Sequence, residues 1–220
     1  MVSFHLESAT PACLSALDIL RRQAFLSDFY LAGGTALALQ LGHRISTDLD
    51  WFSTTRLLQA AEREAIVRRL KALVDTVVTS EEDGMLFLRV QGTDVSFLHQ
   101  QHPLLESPVD FTGVQLASPV DIGVMKLAAV NSRGSRRDFV DLYCLRHVVS
   151  LDRLLELAAT KYADRPSFLP IAARALAYFD DAEQQPMPRL LVDAPWPEVR
   201  AYAEGAARRL ARRLSGLRYD

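Results

Sequence analysis

The stretch that decides the fold runs from Leu31 to Ser53, LAGGTALALQLGHRISTDLDWFS. A short apolar strand ends at Gly33-Gly34. An apolar helix follows from about Thr35 to Gly42, and Asp48-Leu49-Asp50 opens a second short strand with Trp51 and Phe52. Side chains i and i+2 of a strand share a face, so Asp48 and Asp50 point one way and Leu49 and Trp51 the other. Two carboxylates that close repel each other unless a cation lies between them. Hard, oxygen-seeking Mg²⁺ suits that arrangement. The glycine pair permits close backbone approach, and the helix start behind it presents unpaired N–H groups to an anion. The competing explanation is a solvent-facing strand edge with two exposed acids, the commoner case for an isolated Asp-x-Asp. The upstream glycines shift the balance, because a strand–Gly-Gly–helix–strand unit can bring a helix start beside the next strand. Gly33, Gly34, Thr35, Asp48 and Asp50 together point to a metal–nucleotide site.

Composition sets the bounds. A chain of 220 residues can bury a sizeable core as one large domain or two small ones. Its apolar share of 49% and charged share of 24% are ordinary for a globular protein. With a net charge of −2, any nucleic-acid contact must use a local basic patch rather than the global field. Cys13 and Cys144 form no ligand pattern and read as buried thiols in a reducing cytosol. The N-terminal MVSFHLESATPA lacks a basic-plus-apolar signal segment, and no apolar run approaches a membrane span, so the expected location is cytoplasmic. His43, His99, His102 and His147 do not share ligand spacing, and no zinc site is expected.

Outward from the opening stretch, periodicity predicts a helix over 14–27 and a strand over 28–32. A charged amphipathic helix is expected over 55–73, with Leu57, Leu58, Ile66, Leu70 and Leu73 toward the core. Strands follow over 74–79, 85–90 and 94–98, separated by hairpin turn residues. Residues 100–113 read as a loop and 114–117 as one more strand. After Ala117 the pattern becomes all-helical. Ser118-Pro119-Val120-Asp121 is a helix-start signature for a helix to about Asn131. Further helices are expected over 136–147, from Ser150 to about Tyr162, and over 167–181 and 197–215, with a Pro-rich loop before the last. The fold class is α+β: a small mixed sheet flanked by helices over 1–117, then a helical domain over 118–220.

Lys126 is the one charged residue in IGVMKLAAV (122–130) of the first of these helices, a segment apolar nearly all round. An unpaired buried ammonium is costly. It must either snorkel to the surface or meet an anion. Asp141 lies on the next helix, on the same face as Asp138, where Arg137 could pair with it at i,i+4. Arg133, Arg136 and Arg137 cluster around Gly134. Such a run is usually a solvated turn, but behind the Lys126 helix it could meet nucleotide or RNA phosphates. Arg208, Arg209, Arg212, Arg213 and Arg218 read as an exposed helix face.

Gly-Gly, a short helix and Asp-apolar-Asp resemble the nucleotidyltransferase superfamily typified by DNA polymerase beta. More narrowly, Gly33 to Leu37 and Arg44 to Phe52 are similar to the AbiEii/AbiGii toxin family of nucleotidyltransferase-like proteins. The similarity continues in Asp121-x4-Lys126, in Arg133 to Tyr143 and in Ala177 to Glu183 with its following Pro-rich loop. The resemblance spans roughly residues 25–200. It implies a nucleotidyltransferase-like α/β domain followed by a helical one. The implied activity is Mg²⁺-dependent transfer of NMP from an NTP to an acceptor, RNA or tRNA, by the toxin of a toxin–antitoxin or phage-defence pair with a cognate antitoxin. It further implies nucleotide contacts from Gly33, Gly34, Thr35, Arg44, Ser46 and Lys126, and a fourth-motif role for Asp141 in orienting Lys126 or a base. The superfamily carries a third carboxylate on a neighbouring strand. Alignment puts Ser96 there, with Asp94 two residues earlier on the same face, either standing in as third acid and metal ligand or serving as a turn residue. The alternatives are a small-molecule or protein acceptor, or a nucleotide- or partner-binding module whose catalysis has decayed.

Overall fold

A computed structural model describes residues 3–216, and these divide between Ser118 and Pro119 into two compact units. In the first, a seven-stranded mixed sheet has the order β3-β4-β5-β2-β1-β7-β6. Its elements are α1 Pro11–Leu20, β1 Tyr30–Ala32, α2 Gly33–Leu41, β2 Asp48–Ser53, α3 Ala60–Lys71, β3 Thr76–Glu82, β4 Met85–Val90, β5 Thr93–His99, β6 Val109–Phe111 and β7 Val114–Leu116. β2 pairs parallel with β5 and antiparallel with β1, which puts the acidic strand in the middle of the sheet. Strand alternation sends Leu49 and Trp51 into the core, both fully buried, and leaves Asp48 and Asp50 half-buried on the opposite face. α2 is buried through Ala36, Leu37, Ala38 and Leu39, and it stops at Gly42 (φ 62°), whose N–H closes on the Ala38 carbonyl.

Several boundaries differ from the sequence expectation, each for a local reason. α1 begins at Pro11 rather than 14, because Thr10 caps it by accepting from the Cys13 N–H and Pro11 occupies the first turn. Residues 24–28 form a 3₁₀ turn, which shortens β1 to three residues. α3 starts at Ala60, not 55. Leu58 takes a left-handed φ of 53°, and the Glu62 carboxylate accepts from the Gln59 N–H as a helix start. Leu58, Ile66 and Leu70 face the core as expected, whereas Leu57 and Leu73 lie on the surface. The expected loop 100–113 contains β6, which pairs with β7 around Thr112 and Gly113, both at positive φ.

The second unit is helical: α4 Pro119–Ser132, α5 Arg136–Cys144, α6 Leu151–Lys161, α7 Phe168–Ala175, α8 Asp180–Glu183 and α9 Trp196–Gly216. Gly134 (φ 51°) breaks the chain between α4 and α5. Gly123 lets α4 approach α6, since a Cβ there would collide with the Leu154 methyls. Phe139, Phe179 and Trp196 form an aromatic cluster with ring centroids 5.0–6.1 Å apart. The expected helix 167–181 is two helices, broken before Asp180. Arg208, Arg209 and Arg213 pair with Glu204, Asp152 and Glu156 on the exposed side of α9, and Arg218 lies outside the described residues. No helix among the described residues is long and apolar enough to cross a membrane.

The α3 entry turn depends on Arg63, a nearly buried guanidinium that donates to the Leu58 carbonyl at 2.5 Å and to Asp83 at 2.7 Å. Arg63→Met keeps the aliphatic stem and leaves that carbonyl without its donor. It should lower unfolding stability in urea by about 1–3 kcal/mol. A stability equal to wild type would show that the turn holds without this bond.

Candidate active site

Gly33 closes β1 at a φ of 67°, and a Cβ there would collide with Asp50 Oδ2. Gly34 is equally constrained: a Cβ would run into Arg44 Nη2 and crowd Ser46 Oγ. Only glycine allows the start of α2 to approach both groups. The Thr35 hydroxyl donates to the Asp48 backbone carbonyl and ties the first turn of α2 to β2. Asp48 Oδ1 accepts from Ser46 Oγ at 3.2 Å. Arg44 is buried, with Nη1 reaching the Ile45 carbonyl at 3.3 Å and Ser46 Oγ at 3.4 Å. The structure thus brings Gly33, Gly34, Thr35, Arg44, Ser46, Asp48 and Asp50 together, with Arg44 and Ser46 buttressing the glycine turn and Asp48.

On β5 the register sets Asp94 beside Asp48 and Ser96 beside Asp50. Ser96 Oγ donates to Asp50 Oδ1 at 2.6 Å. The Asp94 carboxylate is exposed and bound to Arg89 of β4 at 2.9 Å. Among the described residues no group of three or more His, Cys, Asp or Glu is placed to hold a metal ion. The donor chemistry nonetheless fits a hard cation: two carboxylates on one strand face, beside a glycine turn that leaves room for phosphate. Cys13, buried as the sequence predicts, lies beneath this strand. Its Sγ is 3.8 Å from the Asp48 carbonyl oxygen. Burial pushes the thiol up to about 12, the charges of Asp48 and Asp50 acting in the same direction and the Thr35 bond against them, so it is an inert core group.

In the helical unit, Lys126 does not snorkel. Its side chain is 6% exposed, and the ammonium sits between Asp138 Oδ1 at 2.8 Å and Asp141 Oδ2 at 2.7 Å, both acids fully buried. Asp138 also accepts from Arg133 Nε at 2.9 Å and Ser135 Oγ at 2.6 Å. Burial acts to raise the Asp138 carboxyl, but Lys126 and Arg133 outweigh it and hold the group down at about 2. Asp138, which the sequence places on the same face as Asp141, carries no predicted site role, yet it is the acid that meets both Lys126 and Arg133. The available signal was its i,i+3 spacing from Asp141 on an otherwise apolar helix face. A second buried pair, Lys161 with Asp121 at 3.0 Å, joins α6 to α4. Of the basic cluster, Arg133 binds Asp138. Arg136 donates to the Ala182 carbonyl at 2.8 Å and the Glu183 carbonyl at 3.1 Å while stacking over Trp196, and Arg137 is exposed.

The structure thus sets a carboxylate pair beside a glycine turn at a strand–helix–strand junction, and comparison with known proteins gives the family. The profile of the family described as nucleotidyl transferase AbiEii toxin, type IV TA system, matches residues 15–202, and the chain belongs to that family. It is therefore a nucleotidyltransferase of the toxin class. It is 32% identical over 191 residues to the uncharacterized protein aq_aa25 of Aquifex aeolicus (strain VF5), covering 85% of this chain and 90% of that one. Its fold is similar to MenT4, a nucleotidyltransferase toxin from Mycobacterium tuberculosis H37Rv, at a TM-score of 0.58 and 17% identity, covering 91% and 80% of the two chains. It is also similar to JHP933 from Helicobacter pylori, at a TM-score of 0.51 and 17% identity, covering 96% and 97%.

The two-acid grip on Lys126 has a measurable consequence. Lys126→Met removes the cation and leaves buried carboxylates behind, so it should lower stability by about 3–5 kcal/mol. Adding Asp141→Asn should recover much of that loss. Melting curves of the two variants check this, and a Lys126→Met protein as stable as wild type would contradict a structural role for the pair.

Proposed function

We propose that the chain transfers NMP from an NTP to an RNA acceptor, with tRNA the first candidate, in a Mg²⁺-dependent reaction within the cytoplasm. It would act as a toxin restrained by a cognate antitoxin, in a toxin–antitoxin or phage-defence setting. The observation that carries the reaction class is the half-buried Asp48/Asp50 pair set against the Gly33-Gly34 turn. Asp48 and Asp50 would hold the cation. Bound Mg²⁺ would supply neutralisation of the charge that develops on the phosphates. Gly33, Gly34 and Thr35 offer the triphosphate a backbone approach that a side chain would block. Ser46 and Arg44 keep Asp48 and the turn in place while the acceptor hydroxyl gives up its proton to solvent and its oxygen bonds to the α-phosphorus. The bond from the α-phosphorus to the bridging oxygen then breaks, and pyrophosphate leaves with that oxygen. The chain's share of catalysis is positioning of the phosphates against the acceptor. The antitoxin is the counterpart implied by membership of a type IV TA toxin family, and the RNA acceptor rests on the motif resemblance alone.

Purified protein, Mg²⁺, each labelled NTP and total RNA make the direct test. Label should enter an RNA band and pyrophosphate should be released. Asp48→Asn or Asp50→Asn should reduce transfer by at least about a hundredfold, the scale of losing a charge-stabilising group, with the circular dichroism unchanged. Normal transfer by either variant would remove the site assignment. Label entering protein or a small molecule would replace the RNA acceptor, and no incorporation with intact NTP binding would favour a decayed binding module.

A further inference from the structure

We propose that Ser96 is a positioning residue that orients Asp50 for one divalent cation shared with Asp48, so that the cation is taken up together with the nucleotide's phosphates rather than alone. The proposal rests on Asp48 and Asp50 being the cation-holding pair, and it assigns the work done by the strand beside them.

Asp50 is flanked on two sides. From β5, its register neighbour Ser96 is nearly buried and donates to Oδ1 at 2.6 Å. From the start of α2, Gly33 approaches Oδ2 so closely that no Cβ fits. The two oxygens of Asp50 are therefore unlike: Oδ1 is tied to a neutral donor, and Oδ2 is turned toward the glycine turn. A hydroxyl at this place fixes the carboxylate without adding charge. An acid at position 96 would bring a second carboxylate to the distance that Ser96 Oγ now occupies, and the two would repel unless a cation lay between them. Asp94, the one acid of β5, is exposed and bound by Arg89 rather than turned to Asp50 in Ser96's register. What the chain offers a cation is two carboxylates, one of them oriented by Ser96. A small octahedral ion bound by one or two carboxylates completes its shell with water and substrate phosphate oxygens. Uptake of the cation is then coupled to uptake of the nucleotide.

Ser96→Ala, Ser96→Thr, Ser96→Asp and Asp50→Asn in the full chain test this. Each protein is titrated calorimetrically with Mn²⁺ alone, and with α,β-methylene analogues of the four NTPs in Mg²⁺, with melting curves alongside. Wild type should respond weakly to Mn²⁺ alone and clearly to the analogue with Mg²⁺. Ser96→Ala should bind the Mg²⁺–analogue about tenfold more weakly, the effect of one charge-assisted hydrogen bond, and Ser96→Thr should restore binding by restoring the hydroxyl. Ser96→Asp should melt lower in chelator and gain a response to Mn²⁺ alone that wild type lacks. Wild-type affinity in Ser96→Ala, or a wild-type response to Mn²⁺ alone as large as that of Ser96→Asp, would overturn the proposal. If Asp50→Asn loses analogue binding while Ser96→Ala keeps it, only the role of Ser96 falls. If Asp50→Asn also binds as wild type, the carboxylate-pair reading falls with it.

Discussion

Gly33 has no side chain, and Asp50 occupies the space that one would need. The junction of β1, α2 and β2 depends on that close approach. Gly33 takes a left-handed φ that a larger residue rarely adopts, α2 begins at once, and its first turn is fastened to β2 through Thr35 and the Asp48 carbonyl. Beneath it, Trp51 and Leu49 anchor β2 in the core, so the acids on the other face are held by a rigid strand. Arg44, buried under Gly34, fills the remaining gap with a guanidinium bound to the Ile45 carbonyl. The site is preorganised by packing from below and by hydrogen bonds from its sides.

The helical unit solves a different problem. Asp121, Asp138 and Asp141 are fully buried, and each has a lysine partner within 3.0 Å. A buried ion pair gains little over well-packed apolar groups, whereas losing one partner is expensive. Such pairs therefore constrain geometry more than they add stability. Lys126 joins α4 to α5 through two acids, and Asp138 draws in Arg133 and Ser135 from the glycine break between these helices. The elbow between α4 and α5 is thereby set by charge rather than by apolar contact alone.

Much of this was legible in the sequence because it rests on local rules. Alternation along DLDWFS gives the facing of Asp48 and Asp50, and Gly-Gly before an apolar helix gives the turn. Ser-Pro-x-Asp marks the change to the helical unit, and the AbiEii resemblance noted in the motifs matches the family to which the chain belongs. What was hidden depends on partners distant in sequence. The short β6, the shift of α3 to Ala60 and the split after α7 follow from tertiary pairing and a left-handed Leu58, which no periodicity reports. The binding of Lys126 by two acids and the diversion of Arg136 to the α8 carbonyls likewise arise across helices. Spacing could show that a cation was buried, but not which anion met it.

We propose that Asp48 and Asp50 hold the cation that accompanies the nucleotide. This assignment is tested most directly by crystals grown with Mn²⁺ and an α,β-methylene NTP analogue, with anomalous diffraction locating the metal. The account predicts an anomalous peak within coordination distance, about 2.0–2.3 Å, of an Asp48 oxygen and Asp50 Oδ2, with phosphate oxygens completing its shell beside Gly33 and Gly34. A peak bound to other side chains, with the analogue's phosphates away from the glycine turn, would contradict it.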